Sequence, residues 1–443
     1  MKTIRLLTIL ALITSAACSA DSNEPQQTYP TYETPDSGRP DLGVEDQGGN
    51  TPTEDMGLPL ADMGEAEQDM PRVEPDMDMM RVDLGTPGPD DKTIRGRFES
   101  AGPVQTCGSV VSWTSPDGFL LRPRMNVCGD DANALGDTIL ANLNAAAEKG
   151  SRVMLVISQG IELPASWLDE CESFAIESGR FTGKTCAPWD SKYQGLLREA
   201  LVETIGPKVK GHEALAGVYF TISSMTNGAE MHLRIDRESI ANYPGDDVMR
   251  RAYIDVMGIF QEAFEVPVVF EAGHCLWMNN EDCQTPLELY KATREKYGVE
   301  STGVAMWNCS ERFFVSDKSP EFGAREIFEI ASADGASIGC QTVGAFEQAC
   351  RFTSEETANY GTSPSGPGSS DCPDSTAADV EAACVDTVNW FIGKESKNEK
   401  SPVINGTWGE FWSRDLQRSG AYQQSSKCKA AIDMLEPRAS RSP

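Results

Sequence analysis

Histidine and positive charge are both scarce in this chain. Three histidines occur in 443 residues, and 38 Lys and Arg face 68 Asp and Glu, leaving a formal charge of −30. A nucleic-acid binder needs a basic face, so this balance excludes that class of partner. No Cys-x-x-Cys pair occurs, which argues against zinc ribbons and thioredoxin-type redox sites. His212-Glu213 opens like a zinc-protease helix, but Ala216 stands where the second histidine belongs. Ser178 to Thr185 falls one residue short of a phosphate loop, with Ser178 in place of its first glycine, and no strand is predicted before it. Gly-x-Ser-x-Gly and dinucleotide fingerprints are missing too. The expectation is a protein without metal or cofactor. Apolar residues make up 40%, low for a fully globular chain, so part of it is expected not to fold.

The N-terminus supplies that part. Lys2 and Arg5 precede the apolar run Leu6 to Ile13, which has the length of a secretion signal and is too short for a membrane span. Ser15-Ala16-Ala17-Cys18 resembles the lipobox of bacterial lipoproteins, with serine where leucine is usual. The resemblance implies that residues 1–17 are removed and that Cys18 carries the lipid. Its acyl chains would anchor the protein to a membrane, and Ser19 points to the outer membrane or cell surface. The alternative is an ordinary cleavage site beside an incidental cysteine. Between Ser19 and Asp91 there are 19 acidic side chains against 3 basic, a charge of −16, with few aromatic or β-branched residues. Residues 18–91 therefore read as the lipidated cysteine and a disordered acidic linker, about 45–50 Å in reach as a flexible coil and longer under self-repulsion. Calcium binding is the other reading, but the acidic residues lack a calcium-loop spacing.

Thirteen cysteines less Cys18 leave an even twelve, all between Cys107 and Cys428, which in an exported chain predicts disulfides. The near pairs are Cys171 with Cys186, Cys275 with Cys283, and Cys372 with Cys384. Cys107, Cys128, Cys309, Cys340, Cys350 and Cys428 remain for longer links.

From residue 92 to 443 β-rich runs alternate with segments of helical period, the signature of parallel α/β architecture. Strands are predicted at Thr93 to Glu99, Gly108 to Thr114, Ser151 to Ser158, Gly217 to Ser224, Val266 to Glu271, Thr302 to Asn308, Ala336 to Gln341 and Thr407 to Trp412. Helices are predicted at Asn133 to Lys149, Ser191 to Ile205, Val248 to Phe264, Pro286 to Tyr297, Glu321 to Ala333 and Ala377 to Ile392. Eight strands with intervening helices give a (β/α)8, TIM-type barrel with enlarged, disulfide-braced loops. The extra length falls after Ser158, through Cys171 to Cys186, and in Gly361 to Asp374, both following strand C-terminal ends.

Gly160 to Leu168 and Pro188-Trp189-Asp190 follow the third strand, Asn227-Gly228-Ala229-Glu230 follows the fourth, and Trp408-Gly409-Glu410-Phe411-Trp412 lies in the last. In these features the chain resembles barrel glycoside hydrolases of the β-galactosidase-like kind. The resemblance implies that Glu230, after strand four, is the general acid/base, although Ala229 replaces the usual preceding asparagine. That family's retaining members end strand seven in a carboxylate, whereas here Gln341 stands there. Glutamine can bind a hydroxyl but cannot ionise. Glu410 is the preferred second carboxylate, with Glu271 and Glu347 as alternatives, and a structural partner for Arg414 or a rim arginine is the rival role for Glu410. Asn227, Gln341, Trp189, Asp190 and His232 are expected to contact sugar. Trp113, Trp277 and Trp307 are further stacking candidates at strand ends, with core packing as their alternative. The expected ligand is a carbohydrate, either hydrolysed by two carboxylates or bound without turnover by a surface lipoprotein on the same scaffold.

Overall fold

Short buried strands alternate with outer helices along the chain, and the strands pair in parallel until the first meets the last. The computed structural model describes residues 92–115, 117–178, 181–222, 231, 233, 235–272, 276, 284–306, 309, 311, 324–342, 346, 376–396, 403–417 and 420–435. The linker, Cys18 and Gly361 to Asp374 lie outside them. The strands are β1 (Gly96–Ser100), β2 (Gly118–Leu121), β3 (Arg152–Val156), β4 (Ser173–Ser178), β5 (Phe181–Cys186), β6 (Leu215–Tyr219), β7 (Val268–Glu271), β8 (Thr302–Met306), β9 (Ser337–Gln341) and β10 (Trp408–Trp412). All but β4 and β5 close into one parallel barrel, in the order β1-β10-β9-β8-β7-β6-β3-β2. The predicted (β/α)8 architecture is thus observed.

Alternation along each strand divides the core in two. Ile94, Phe98, Leu120, Met154, Val156, Tyr219, Val269, Ala305 and Trp408 fill the inside. The opposite strand faces pack under helices such as Ala132–Glu148, Ser191–Arg198, Asp246–Phe264 and Gln284–Tyr297. Trp408 is the largest inner residue and meets Phe98 and Tyr219 edge-on at 5.9 and 5.8 Å. Burying each such side chain contributes on the order of 1.5–3 kcal/mol. The indole fits because Gly339 faces it, and a Cβ there would run into the ring.

The second strand is not where its β-rich sequence suggested. Gly108 to Thr114 runs outside the barrel, and side chains satisfy the amides that a strand would direct to neighbours. Gly108 N donates to Thr138 Oγ1 at 2.8 Å, Val111 N to Asn142 Oδ1 at 3.0 Å, and Thr114 N and Ser115 N to Glu99 Oε2 at 2.6 and 2.7 Å. The true strand is the four-residue Gly118–Leu121, buried throughout.

The excursion after β3 forms the antiparallel hairpin β4–β5, tied by Cys171–Cys186. The phosphate-loop-like run ends in β5 instead of opening a helix, so it lacks the helix N-terminus such a loop needs. Cys107–Cys128 and Cys309–Cys340 are also bonded. The predicted Cys372–Cys384 pair is corrected: Cys384 bonds Cys428, which joins the helices Ala377–Phe391 and Ser426–Ile432. Cys275 and Cys283 lie outside the described residues.

The C-terminal segment is locked against β1 by charge. Arg97 pairs with Asp117 through Nε and, at 2.9 Å, through Nη2, while its Nη1 reaches Tyr422 Oη at 2.6 Å and Asp433. Among the described residues no helix is long and apolar enough to cross a membrane.

Candidate active site at the C-terminal end of the barrel

Inner-facing positions at the strand C-terminal ends stop being apolar. Val269 is inside, so Glu271, two residues on, shares that face; Gly339 places Gln341 there, Trp408 places Glu410, and Leu120 places Arg122. All four are buried, Glu410 at 1% exposure and Glu271 at 2%.

Three of them touch. Glu410 and Gln341 are register partners on neighbouring strands, and Gln341 Nε2 donates to Glu410 Oε1 at 2.8 Å. The same oxygen accepts from Arg122 Nη2, which also donates to Ser100 Oγ at 2.7 Å. Among the described residues no donor reaches Glu410 Oε2. One carboxylate oxygen is therefore held by an amide and by an arginine at the barrel mouth, the partnership expected as the rival role for Glu410, and the other is uncommitted. Such a group can act on an electrophile or on water, while a proton donor has to come from elsewhere.

A second buried cluster orders the ends of β3 and β6. Tyr193 Oη donates to Gln159 Oε1 at 2.6 Å, Gln159 Nε2 to the Thr221 carbonyl at 3.1 Å, and Thr221 Oγ1 to the Ile157 carbonyl at 2.6 Å. Burial pushes the Tyr193 hydroxyl well above its ordinary pKa, so it remains a donor.

Of the residues predicted from sequence, Gln341 and Glu410 converge as described. Glu230, Asn227, His232, Trp277, Trp307 and Glu347 lie outside the described residues. Trp189 is half-buried beside the β4–β5 hairpin, parallel to Phe174 at 6.1 Å and edge-on to Tyr243 at 5.8 Å. Next to Tyr243 is an open groove of about 550 Å³, lined also by Arg237, Asn242 and Asp246.

Asp190 braces its loop: its Oδ1 caps the following helix through Lys192 N at 3.0 Å, and its Oδ2 accepts from Glu172 N at 2.8 Å. One prediction needs correction. Trp113 sits at the other end of the barrel, stacked on Phe119 at 4.2 Å, with Lys149 over its ring and its Nε1 donating to Ser151 just before β3. Arg122 and Ser100 were not anticipated. A charged residue directly after Leu120-Leu121 was the available signal, hidden by the misplaced second strand.

Among the described residues no group of three or more His, Cys, Asp or Glu can hold a metal ion. Fold and site together define a closed parallel α/β barrel with a carboxylate–guanidinium pair buried inside its C-terminal mouth. No family model and no curated protein sequence matches the chain. Solved structures that resemble it include an endoglucanase of Pseudomonas stutzeri, at 10% identity and TM-score 0.36 over 72% of this chain and 84% of that one. Fungal β-1,4-galactanases give 12% and 0.36 over 77% and 99%, and a morphinone reductase gives 13% and 0.34 over 56% and 76%. Values this low carry nothing about chemistry, which has to be argued from the site.

Proposed function

We propose that this protein is a glycoside hydrolase-like barrel that acts on a carbohydrate outside the cytoplasm, held to a membrane by lipid on Cys18. Glycosidic cleavage needs one carboxyl group to protonate the leaving oxygen and one carboxylate to attack the anomeric carbon or activate water. Glu230 is assigned the first role. Glu410 is assigned the second, and the observation that carries the reading is its ion pair with Arg122, which leaves Oε2 uncommitted. Trp189, Tyr243 and the groove beside it give the rim aromatic and polar surface of the kind that sugars use.

The test is release of reducing ends from cellotetraose, mannotetraose and β-1,4-galactotetraose. Turnover of at least one is expected, falling at least about 100-fold in Glu230→Gln and in Glu410→Gln while affinity persists. Unchanged rates in both variants refute the assignment. Gln341 favours a second reading, because the position that bears a carboxylate in the retaining family cannot ionise here. On that reading the barrel binds glycans without turnover, and wild-type affinity with no product would support it.

A further inference from the structure

We infer that Arg122 contacts the ligand directly and, together with Glu410, makes the mouth select uncharged sugars over uronic acids; this rests on the carbohydrate reading above. A guanidinium has five N–H donors. Arg122 directs Nη2 to Ser100 and Glu410, and its Nε is buried with no partner. Trp408 Nε1, two residues before Glu410 on the same strand face, is likewise buried without a partner. Native interiors seldom leave buried N–H groups without acceptors, and among the described residues no acceptor reaches either of these two donors.

The acceptor they call for is neutral. Arg122 is already balanced by Glu410, and Glu271 adds a further acidic group at the same end of the inner face. Among the described residues at this end of the inner face, a ligand carboxylate would meet those acidic groups with Arg122 already paired, whereas a hydroxyl or ring oxygen can satisfy Nε without adding charge. It follows that Glu410, besides its proposed chemical role, excludes anionic sugars. Neutralising it should turn Arg122 into a carboxylate site, because a guanidinium binds carboxylates well once its own counterion is gone.

The experiment is calorimetric titration of the full chain with the three neutral tetrasaccharides and with tetragalacturonate. Wild type is expected to bind at least one neutral probe and to bind tetragalacturonate at least tenfold more weakly. Arg122→Lys keeps the charge beside Glu410 but loses the Nε donor, and should weaken the neutral probe at least tenfold. Glu410→Gln should gain at least tenfold in tetragalacturonate affinity, and Glu410→Gln combined with Arg122→Met should lose that gain. Wild-type affinity in Arg122→Lys would mean that Nε is satisfied by water and would overturn the inference while leaving the carbohydrate reading intact. Preference of wild type for tetragalacturonate, or no gain in Glu410→Gln, would overturn it equally. Silence of every probe with every protein would overturn both. Circular dichroism melting checks that each variant is folded, and if Arg122→Lys does not fold, the Glu410→Gln arm decides alone.

Discussion

On the outer wall by β1 and β2, all three side-chain nitrogens of Arg97 are engaged, by Asp117, Tyr422 and Asp433. Inside the mouth, Arg122 uses one nitrogen and keeps Nε buried without a partner. Both arginines are largely removed from water and both pair with carboxylates. The difference is closure. A network whose members satisfy one another fixes structure, here the docking of the C-terminal segment on the barrel. A network left short of an acceptor is unfavourable by itself and is retained where something else completes it.

The largest effect should come from opening the closed network. Arg97→Met leaves Asp117, 7% exposed at its side chain, without its guanidinium. Removing one partner of a buried pair costs about 3–5 kcal/mol. Urea denaturation should report that loss, while glycan affinity per folded molecule stays at the wild-type value. A loss below about 1 kcal/mol would mean that the wall network contributes no more than a surface pair.

Tyr193→Phe asks whether closure or location decides. Its network lies toward the site end of the barrel yet is self-satisfied, so the change should behave as a structural one. Gln159 Oε1 would lose its 2.6 Å donor, at about 1–3 kcal/mol for a buried acceptor. The ratio of neutral to uronate affinity should not move. A shift in that ratio with stability unchanged would place Tyr193 in the site and break the comparison.

The same contrast explains what could be read from sequence. Short β-rich runs, separated by helical periods, located seven of the eight barrel strands, because strands buried on both faces carry that signal in their composition. The eighth failed since Gly108 to Thr114 is β-rich, but the amides of Gly108, Val111 and Thr114 are satisfied by Thr138, Asn142 and Glu99, residues whose proximity no local pattern encodes. Gly118–Leu121 was overlooked because four residues are too few to show a period. That error carried into the site. Glu410 and Gln341 were legible as residues at the ends of their strands, whereas Arg122 became visible once its strand was placed. Asp190 reads from sequence equally as ligand or helix cap, and the two backbone amides it accepts from show the cap, which depends on a residue as distant as Glu172.

The smallest effect is electrostatic and belongs to the rim of the closed network. Burial works against the charge on Asp433, but hydrogen bonds from Tyr422 and Lys429, with the charges of Arg97 and Lys429, outweigh it and hold its pKa below the ordinary carboxylate value. A depressed folded pKa means that the stabilisation is complete above the unfolded value, about 3.9 for Asp, and is lost as pH falls through the folded one. Asp433 is 39% exposed at its side chain, so solvent screening should keep the contribution under about 1 kcal/mol. Asp433→Asn should therefore differ little from wild type below the folded pKa and should flatten the fall in stability on acidification below pH about 4. Arg97→Met, in contrast, should lower the curve at neutral pH, where it removes the cation facing Asp433, and come closer to wild type in acid as Asp433 protonates. Parallel acid limbs for wild type and Asp433→Asn would remove Asp433 from the network and leave the Arg97–Asp117 pair to hold the C-terminal segment alone.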